Sequence, residues 1–331
     1  MRISIIGAGA WGTALARLTA NQDHETRLWA YEPEVVDSIK ENRVNELFLP
    51  GVELPASLGV TNDLEEATRE AEIVLTAVPS RHLRRVLNDV APHVSREALF
   101  VSASKGLEEE TLLRLSQVID EVLRSRFEPR VIALSGPTFA AEVARDRPTA
   151  LVAACDRTDL ARRVQHELSS LTFRIYANDD VVGVELGGAV KNVIAIAAGM
   201  SAGLGLGHNA VAALITRGLA EISRLSAALG GRKETLAGLA GLGDLVLTCT
   251  GELSRNRSVG YELGRGTPLG AILPSMRTVA EGVPTTHATV ALARRNGVEM
   301  PITFQMERLL RGETTPEVAI QELMSRRLKE E

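Results

Sequence analysis

After Met1, the chain reads RISIIGAGAWGTALARLTA over residues 2–20. The first five residues are mostly isoleucine, which predicts a buried strand, and the last eight are rich in alanine and leucine, which favours a helix. Between them stands a G-x-G-x-x-G motif at Gly7, Gly9 and Gly12. In this context the first glycine makes a tight turn, the second lets the backbone approach a pyrophosphate, and the third lets the helix pack closely on the strand. The stretch therefore predicts a dinucleotide site at a helix N-terminus.

Composition places this site in a larger globular protein. The chain has 331 residues, of which 45% are hydrophobic and 24% charged, and this length is typical of about two domains. The net charge of −5, without a dense basic block, argues against a nucleic-acid partner. We find no apolar run long enough to insert stably into a membrane. Because the first predicted strand starts at Arg2, we expect no signal peptide and a cytoplasmic protein.

The pattern of apolar residues changes near residue 180. Before it, short β-branched runs alternate with helical segments, which predicts a doubly wound parallel sheet. After it, the periodicity is helical almost throughout. We therefore predict an α/β fold, with a Rossmann-type parallel sheet domain over residues 1–180 followed by an all-α domain over residues 181–331.

Cofactor choice should be decided where the second strand ends, at Trp29-Ala30. An acid there binds a ribose 2′-hydroxyl, whereas an arginine accommodates a 2′-phosphate. Tyr31 and Glu32 follow the strand. Glu32 could bind the ribose of NAD or could equally cap the helix that starts at Pro33. Arg43 lies further along and could fold back. We predict that both NAD and NADP are used.

Three lone polar residues stand in apolar surroundings that make them candidates for chemistry. Lys105 follows a predicted strand in a turn of small residues, at the sheet edge where ligands lie. Lys191 lies in a mostly apolar helix, where a lysine is costly unless it is used or its ammonium reaches the surface. Asp244 is the single acid in the apolar stretch 239–250, so it needs a partner.

Residues 254–257, Ser-Arg-Asn-Arg, form a compact set of anion donors. Arginine binds phosphate through two hydrogen bonds, with serine and asparagine as neutral donors. A solvated basic loop is the alternative. Further candidates are Thr138, which follows the strand over residues 130–134, and Glu281, an isolated acid.

Taken together, these motifs resemble the NAD(P)-dependent glycerol-3-phosphate dehydrogenases of the short bacterial type. The resemblance covers residues 3 to about 285 and rests on six segments in family order: 7–16, 104–106, 135–140, 185–192, 241–245 and 254–257. It implies a Rossmann domain and a helical domain with the active site between them. It also implies reduction of dihydroxyacetone phosphate to sn-glycerol 3-phosphate with NAD or NADP as cofactor, feeding phospholipid synthesis.

The resemblance also implies roles for individual residues. Catalysis would involve Lys191 as proton donor and acceptor, with Lys105 and Asp244. Cofactor contacts would come from Gly7, Gly9, Ala10, Trp11, Gly12, Tyr31, Lys105, Ala140, Arg255, Val279 and Glu281. Substrate contacts would come from Lys105, Gly136, Thr138, Lys191, Asp244, Ser254, Arg255 and Asn256. One departure is Tyr31, because many relatives carry Arg or His at this turn; we therefore predict a weaker NADPH preference.

The chemistry of hydride addition to a ketone fits these residue types, because a cationic acid can stabilise the growing charge on oxygen and deliver the proton. No cluster of His, Cys or Asp suggests a metal. We expect a small phosphate-bearing substrate and leave a homodimer open. Two alternatives remain: a two-domain dehydrogenase for hydroxy acids or ketopantoate, and a dinucleotide sensor without catalysis.

Overall fold

An alternation of strands and helices fills the first half of the chain, and helices fill the second. The computed structural model describes residues 1–276 and 279–327. Up to Asn178 the elements are β1 (Arg2–Ile6), α1 (Ala10–Ala20), β2 (Glu25–Trp29), α2 (Pro33–Asn42), β3 (Val44–Asn45), β4 (Leu49–Glu53), β5 (Gly59–Thr61), α3 (Leu64–Thr68), β6 (Ile73–Thr76), α4 (Ser80–Val90), β7 (Leu99–Ser102), α5 (Leu115–Arg124), β8 (Arg130–Ser135), α6 (Ala140–Val143), β9 (Thr149–Ala154), α7 (Thr158–Leu168) and β10 (Phe173–Asn178).

The second half is helical over its described residues. Its elements are α8 (Val181–Gly203), α9 (Gly207–Ala228), α10 (Lys233–Leu236), a π-helical turn (Leu239–Gly243), α11 (Asp244–Thr250), α12 (Arg255–Gly264), α13 (Leu269–Ser275), α14 (Gly282–Arg295), α15 (Pro301–Leu310) and α16 (Pro316–Met324). The predicted helical domain ran to residue 331, of which 277–278 and 328–331 lie outside the described residues.

Eight strands form one sheet in the order β10-β9-β8-β7-β6-β1-β2-β5. The predicted parallel, doubly wound sheet is confirmed from β5 across to β8. The structure adds one antiparallel junction, between β8 and β9, while β9 and β10 run parallel to each other. The strand ends after β1, β2, β6, β7 and β8 therefore meet at one edge, which is where ligands bind in such sheets.

Helix α8 is the centre of the helical half. Its composition is apolar on all sides, and helices α9, α11, α12 and α14 pack around it. Among the described helices, its length and composition alone would suit a membrane span, but 83% of its most apolar window is buried inside the protein. An all-round apolar helix that is covered in this way is a core helix.

Candidate functional site

The glycine turn between β1 and α1 has the geometry that its sequence predicts. Gly7 adopts a φ of +110°, and a Cβ there would lie 2.8 Å from Ala77 O. A Cβ on Gly12 would lie 1.8 Å from Gly7 O, so only glycine lets α1 approach the turn this closely. At Gly9, by contrast, a Cβ would meet nothing within 4 Å. The turn thus keeps an open space in front of the free N–H groups of α1, as a pyrophosphate requires.

Neighbouring side chains close the sides of this turn. The indole Nε1 of Trp11 donates a hydrogen bond to Ala103 O at 3.2 Å, which links α1 to the end of β7. Ala10, Trp11 and Ala140 all pack, partly buried, against the core beneath the sheet edge. Ala140 is the first residue of α6, which contacts α1. The structure therefore brings these three predicted residues together around the glycine turn.

The three lone polar residues meet in one buried cluster. Lys105 Nζ lies 2.7 Å from Asp244 Oδ2, and Lys191 Nζ donates a hydrogen bond to Asp244 Oδ1. Asp244 is 1% exposed and Lys191 5% exposed, so the alternative of a lysine that reaches the surface is wrong. One carboxylate on α11 is shared between a lysine of the sheet edge and a lysine of the central helix. We call Lys105, Lys191 and Asp244 the lysine–aspartate cluster.

Burial changes the acidity of this cluster. The pKa of Lys191 is lowered to about 7, chiefly because the amine is removed from water; the charge of Asp244 opposes this shift and the charge of Lys105 adds to it. An ammonium that titrates near neutral pH can both donate and accept a proton there.

A fourth residue, Thr248, belongs to this cluster although the sequence analysis did not single it out. Lys191 Nζ donates to Thr248 Oγ1 at 2.9 Å, and the same hydroxyl donates to Asp244 O at 2.6 Å. Thr248 follows Asp244 by four residues on one helix, so the two side chains share a face. The four-residue spacing from Asp244 could have identified Thr248 from the sequence.

The segment after β8 contributes backbone atoms to the same cluster. Gly136 O accepts hydrogen bonds from Lys105 Nζ at 2.9 Å and from Thr138 Oγ1 at 3.2 Å. Gly136 has a φ of +149°, and a Cβ there would lie 2.7 Å from Leu151 Cα, so the turn requires glycine. A Cβ on Gly188 of α8 would lie 2.4 Å from Ser135 Oγ. The small residue lets the central helix touch the strand end that carries Gly136.

Residues 254–257 form the start of α12 rather than a loose basic loop. Ser254 is buried and caps the helix, since its side chain accepts from Arg257 N at 3.2 Å. Asn256 is also buried, and its Oδ1 accepts from Gly282 N at 2.9 Å. Gly282 in turn lies against Asn192 O, next to Lys191. Arg255 is the exposed member of the set, so its guanidinium is available to a ligand.

Glu281 joins the two halves of the protein at the sheet edge. It accepts from Ser80 N at 3.3 Å and from Ser80 Oγ at 2.7 Å, at the start of α4. Burial raises the pKa of Glu281, and the hydrogen bonds from Ser80 oppose that effect. Val279 lies two residues earlier and is half-buried. The contact with Ser80 places Glu281 of the helical half beside the segment that connects β6 to α4.

Three residues at or near the end of β2 were considered for contact with the cofactor ribose: Tyr31, Glu32 and Arg43. Tyr31 is 64% exposed. Glu32 stands before α2 but makes no capping hydrogen bond with its side chain. Arg43 does not fold back to this turn, because its guanidinium pairs with Glu53 at 3.0 Å and its Nε donates to Leu54 O.

Within residues 1–276 and 279–327, no group of three or more His, Cys, Asp or Glu side chains is arranged to hold a metal ion. The reactive groups of the described site are therefore the lysine–aspartate cluster and the donors around it.

Comparison with known families covers almost the whole chain. Residues 2–161 match the family described as NAD-dependent glycerol-3-phosphate dehydrogenase N-terminus, and residues 180–321 match the corresponding C-terminus. A glycerol-3-phosphate dehydrogenase (NAD(P)+) of Koribacter versatilis is 61% identical over 98% of this chain and 97% of its own length.

Solved structures give the same result. A glycerol-3-phosphate dehydrogenase from Coxiella burnetii superposes with a TM-score of 0.94 at 41% identity, over 98% of this chain and 99% of that one. A ketopantoate reductase from Ralstonia eutropha superposes with a TM-score of 0.64 at 18% identity, over 97% of this chain and 100% of that one. The second likeness concerns the fold alone.

Proposed function

The chain belongs to the NAD-dependent glycerol-3-phosphate dehydrogenase family, and from this premise we propose that its reaction takes place at the lysine–aspartate cluster. The enzyme reduces dihydroxyacetone phosphate to sn-glycerol 3-phosphate with NADH or NADPH. The observation that carries the assignment of the site is the single buried carboxylate shared by two lysines at the ligand edge of the sheet. Its position between the halves of the protein suits a substrate that must meet a cofactor.

Lys191 acts as the general acid in this proposal. As the ketone is reduced, negative charge develops on the carbonyl oxygen, and an adjacent ammonium stabilises that charge and then transfers its proton from Nζ. In the reverse direction the neutral amine of Lys191 takes the hydroxyl proton. Asp244 keeps the amine in position in both states, and Lys105 adds a second positive charge near the oxygen. The roles differ because Lys191 is almost completely buried, whereas Lys105 is partly exposed.

The chain's residues fit a dinucleotide at the glycine turn, where Gly9 leaves open space and α1 offers unpaired N–H groups. We propose that Gly7, Gly9, Ala10, Trp11 and Gly12 hold the pyrophosphate. The further cofactor contacts of the proposal come from Tyr31, Lys105, Ala140, Arg255, Val279 and Glu281. When bound, the nicotinamide supplies the hydride. The protein's contribution is to orient the nicotinamide and to hold the Lys191 amine within hydrogen-bonding distance of the substrate's carbonyl oxygen.

The substrate phosphate lies, in our proposal, at the start of α12. Ser254 and Asn256 are buried and Arg255 is exposed, so the helix N-terminus presents a guanidinium together with backbone donors. Gly136 and Thr138 line the opposite side, next to Lys105. A phosphate at one end and a proton donor at the other would fix a three-carbon ketone between them.

The choice of phosphate over carboxylate separates this function from the hydroxy-acid and ketopantoate alternatives. Those enzymes share the fold at the level seen for the Ralstonia eutropha reductase. A carboxylate substrate would not need both Arg255 and a helix N-terminus. A sensor without catalysis would gain nothing from burying a lysine and an aspartate side by side, since burial of charges is costly.

Three broader statements belong to the same proposal. The dinucleotide domain spans residues 1–180 and the substrate domain residues 181–331, with Asp180 capping α8 at the boundary. The product supplies glycerophosphate for phospholipid synthesis in the cytoplasm, without stable membrane insertion or a nucleic-acid partner. A homodimer remains a prediction, which sedimentation of the purified protein would test.

The test is a substrate panel with the purified enzyme, followed by nicotinamide absorbance. Dihydroxyacetone phosphate, dihydroxyacetone, ketopantoate and a β-keto acid are each offered with NADH and with NADPH. We expect rapid oxidation only with dihydroxyacetone phosphate. Faster turnover of a carboxylate substrate would favour the alternative dehydrogenases, and no turnover with any substrate would favour the sensor.

A further inference from the structure

Tyr31, the residue at the end of β2 where a 2′-phosphate would be recognised, contacts an arginine that the sequence analysis did not consider. Arg85 of α4 lies over the ring of Tyr31, with its guanidinium carbon 5.7 Å from the ring centre. Trp29 also contacts Tyr31, in an edge-to-face arrangement with ring centres 6.2 Å apart. A guanidinium over an aromatic face is attracted by the ring's electron density. Tyr31 therefore acts as a platform that holds Arg85 at this turn.

The sheet order explains how a residue of α4 reaches this position. Strand β1, which ends in the glycine turn, lies between β2 and β6. Tyr31 follows β2, and α4 follows β6, so the contact between Arg85 and Tyr31 joins the two flanks of β1 beside the glycine turn. In this type of fold the ribose of a dinucleotide lies at the end of β2. Arg85 thus stands where a substituent on the ribose 2′-position would be read.

The exposed start of α4 carries further basic side chains beside Arg85, of which Arg81 by its charge opposes the rise that burial causes in the pKa of Glu281. Arg81, His82 and Arg85 are exposed, and Arg81 Nε donates to His82 Nε2 at 3.0 Å. Partial burial and then the charges of Arg81 and Arg85 lower the pKa of His82. In the described part of the chain no carboxylate lies within salt-bridge distance of either arginine, whereas Arg84 between them pairs with Glu108 and Glu121.

We propose that Arg85, held on the ring of Tyr31, recognises the 2′-phosphate of NADPH and determines how strongly this enzyme prefers NADPH over NADH. The inference rests on the proposed function, since it concerns the same cofactor site. A phosphate matches a guanidinium through charge-assisted hydrogen bonds. Glu32 beside it favours a 2′-hydroxyl, so both cofactors are accepted and the preference is moderate. Tyr31 is a positioning residue in this arrangement, while Arg85 makes the contact.

Nucleotide fragments test the contact without catalysis. Adenosine 2′,5′-bisphosphate and AMP differ only in the 2′-phosphate, and calorimetry gives the affinity of each for the purified protein. We expect the wild-type protein to bind the bisphosphate about tenfold more tightly, a difference of about 1.4 kcal/mol. Arg85→Ala and Arg85→Gln should each remove that difference. Tyr31→Phe should keep it, because the ring remains, and Tyr31→Ala should reduce it.

Arg43→Asn is the matched control, because it removes one positive charge and asparagine tolerates the left-handed backbone at that position, where φ is 56°. It should keep the tenfold difference. Equal binding of the two nucleotides by the wild-type protein, or an unchanged difference in both Arg85 variants, would overturn the inference. Loss of the difference in Arg43→Asn alone would assign the phosphate to Arg43.

Kinetics separate this inference from the proposed function. In the Arg85 variants the ratio of kcat/KM for NADPH to that for NADH should fall about tenfold, which is about 1.4 kcal/mol. If the wild-type protein discriminates between the nucleotides as expected but reduces dihydroxyacetone phosphate with neither cofactor, the function fails and the inference stands. If it reduces the substrate but the Arg85 variants keep the wild-type ratio, the function stands and the inference fails.

Discussion

Two groups of cationic side chains, the lysines of the lysine–aspartate cluster and the arginines Arg81 and Arg85 of α4, differ in burial and in pairing. In the lysine–aspartate cluster, two lysines share one carboxylate that is 1% exposed. On α4, Arg81 and Arg85 are exposed and have no carboxylate within salt-bridge distance in the described chain, and Arg85 lies over the ring of Tyr31 at the end of β2. Burial makes the proton affinity of a lysine adjustable, while an exposed arginine stays charged at all working pH values. The first arrangement suits proton transfer, and the second suits recognition of an anion.

The largest effect should follow from removal of the buried amine. Lys191→Ala should lower kcat by at least about 10²-fold, because a general acid of this kind contributes roughly 10²–10⁴-fold. Cofactor affinity, measured by calorimetry, should change little. Lys233→Ala, at an exposed position on α10, is the control. Near-normal turnover in Lys191→Ala would show that the buried cluster does not take part in proton transfer.

Arg255 lies between the two extremes, because it is exposed but stands beside buried donors on α12. Arg255→Ala should raise KM for dihydroxyacetone phosphate by roughly 10- to 100-fold, since a hydrogen bond to a charged group contributes about 1.5–3 kcal/mol. Arg265→Ala, at the other end of the helix, where the guanidinium stacks on Tyr261, should leave KM as in the wild type. If both variants keep the wild-type KM, the start of α12 is not the phosphate site.

The pH dependence of kcat tests the buried cluster directly. Reduction needs the protonated ammonium, and burial lowers the pKa of Lys191 to about 7. We therefore expect kcat for reduction to be constant at low pH and to fall about tenfold per pH unit above the pKa. The oxidation of glycerol 3-phosphate should show the opposite slope, because it needs the neutral amine. A reduction rate that stays constant up to pH 9 would exclude a lowered pKa.

Thr248→Val should shift the midpoint of this pH profile, since it removes an acceptor of the ammonium's hydrogen bonds and keeps the side-chain volume. Loss of the acceptor disfavours the charged form, so the midpoint should move down by about one pH unit, equivalent to about 1.4 kcal/mol. At pH 7 the rate of reduction should then fall several-fold. Thr250→Val, an exposed position on the same helix, should not move the midpoint. A midpoint that moves upward would contradict the proposed protonation state.

Ionic strength should give the smallest effect and should distinguish the two groups of cations. Salt screens exposed charges, with a Debye length of about 10 Å at 0.1 M and about 3 Å at 1 M, but screens buried pairs much less. We expect the NADPH preference to weaken by about two- to threefold between these concentrations. The pH midpoint of kcat should stay within a few tenths of a unit. A large salt-dependent movement of that midpoint would mean that water reaches the buried cluster.

The sequence by itself determined the local parts of this protein. Gly7, Gly9 and Gly12 stand between a strand-like and a helix-like segment, and the structure confirms that the turn requires glycine at positions 7 and 12. Lys191 and Asp244 could be singled out because an ionisable side chain in an apolar run is costly and needs a partner. Each of these signals is contained in a short stretch of sequence, so periodicity and composition reveal it.

Tertiary structure alone decided the pairings over long distances. Asp244 lies 139 residues from Lys105 and 53 from Lys191, and only the packing of α11 against α8 and the sheet edge brings them together. The contact between Arg85 and Tyr31 likewise depends on β1 lying between β2 and β6. The prediction of a parallel sheet was wrong at the junction of β8 and β9, which is antiparallel. Side chains alternate in the same way in parallel and antiparallel strands, so the sequence pattern does not distinguish the two directions. A sequence pattern therefore indicates which side chains need a partner, and the tertiary packing determines which residue that partner is.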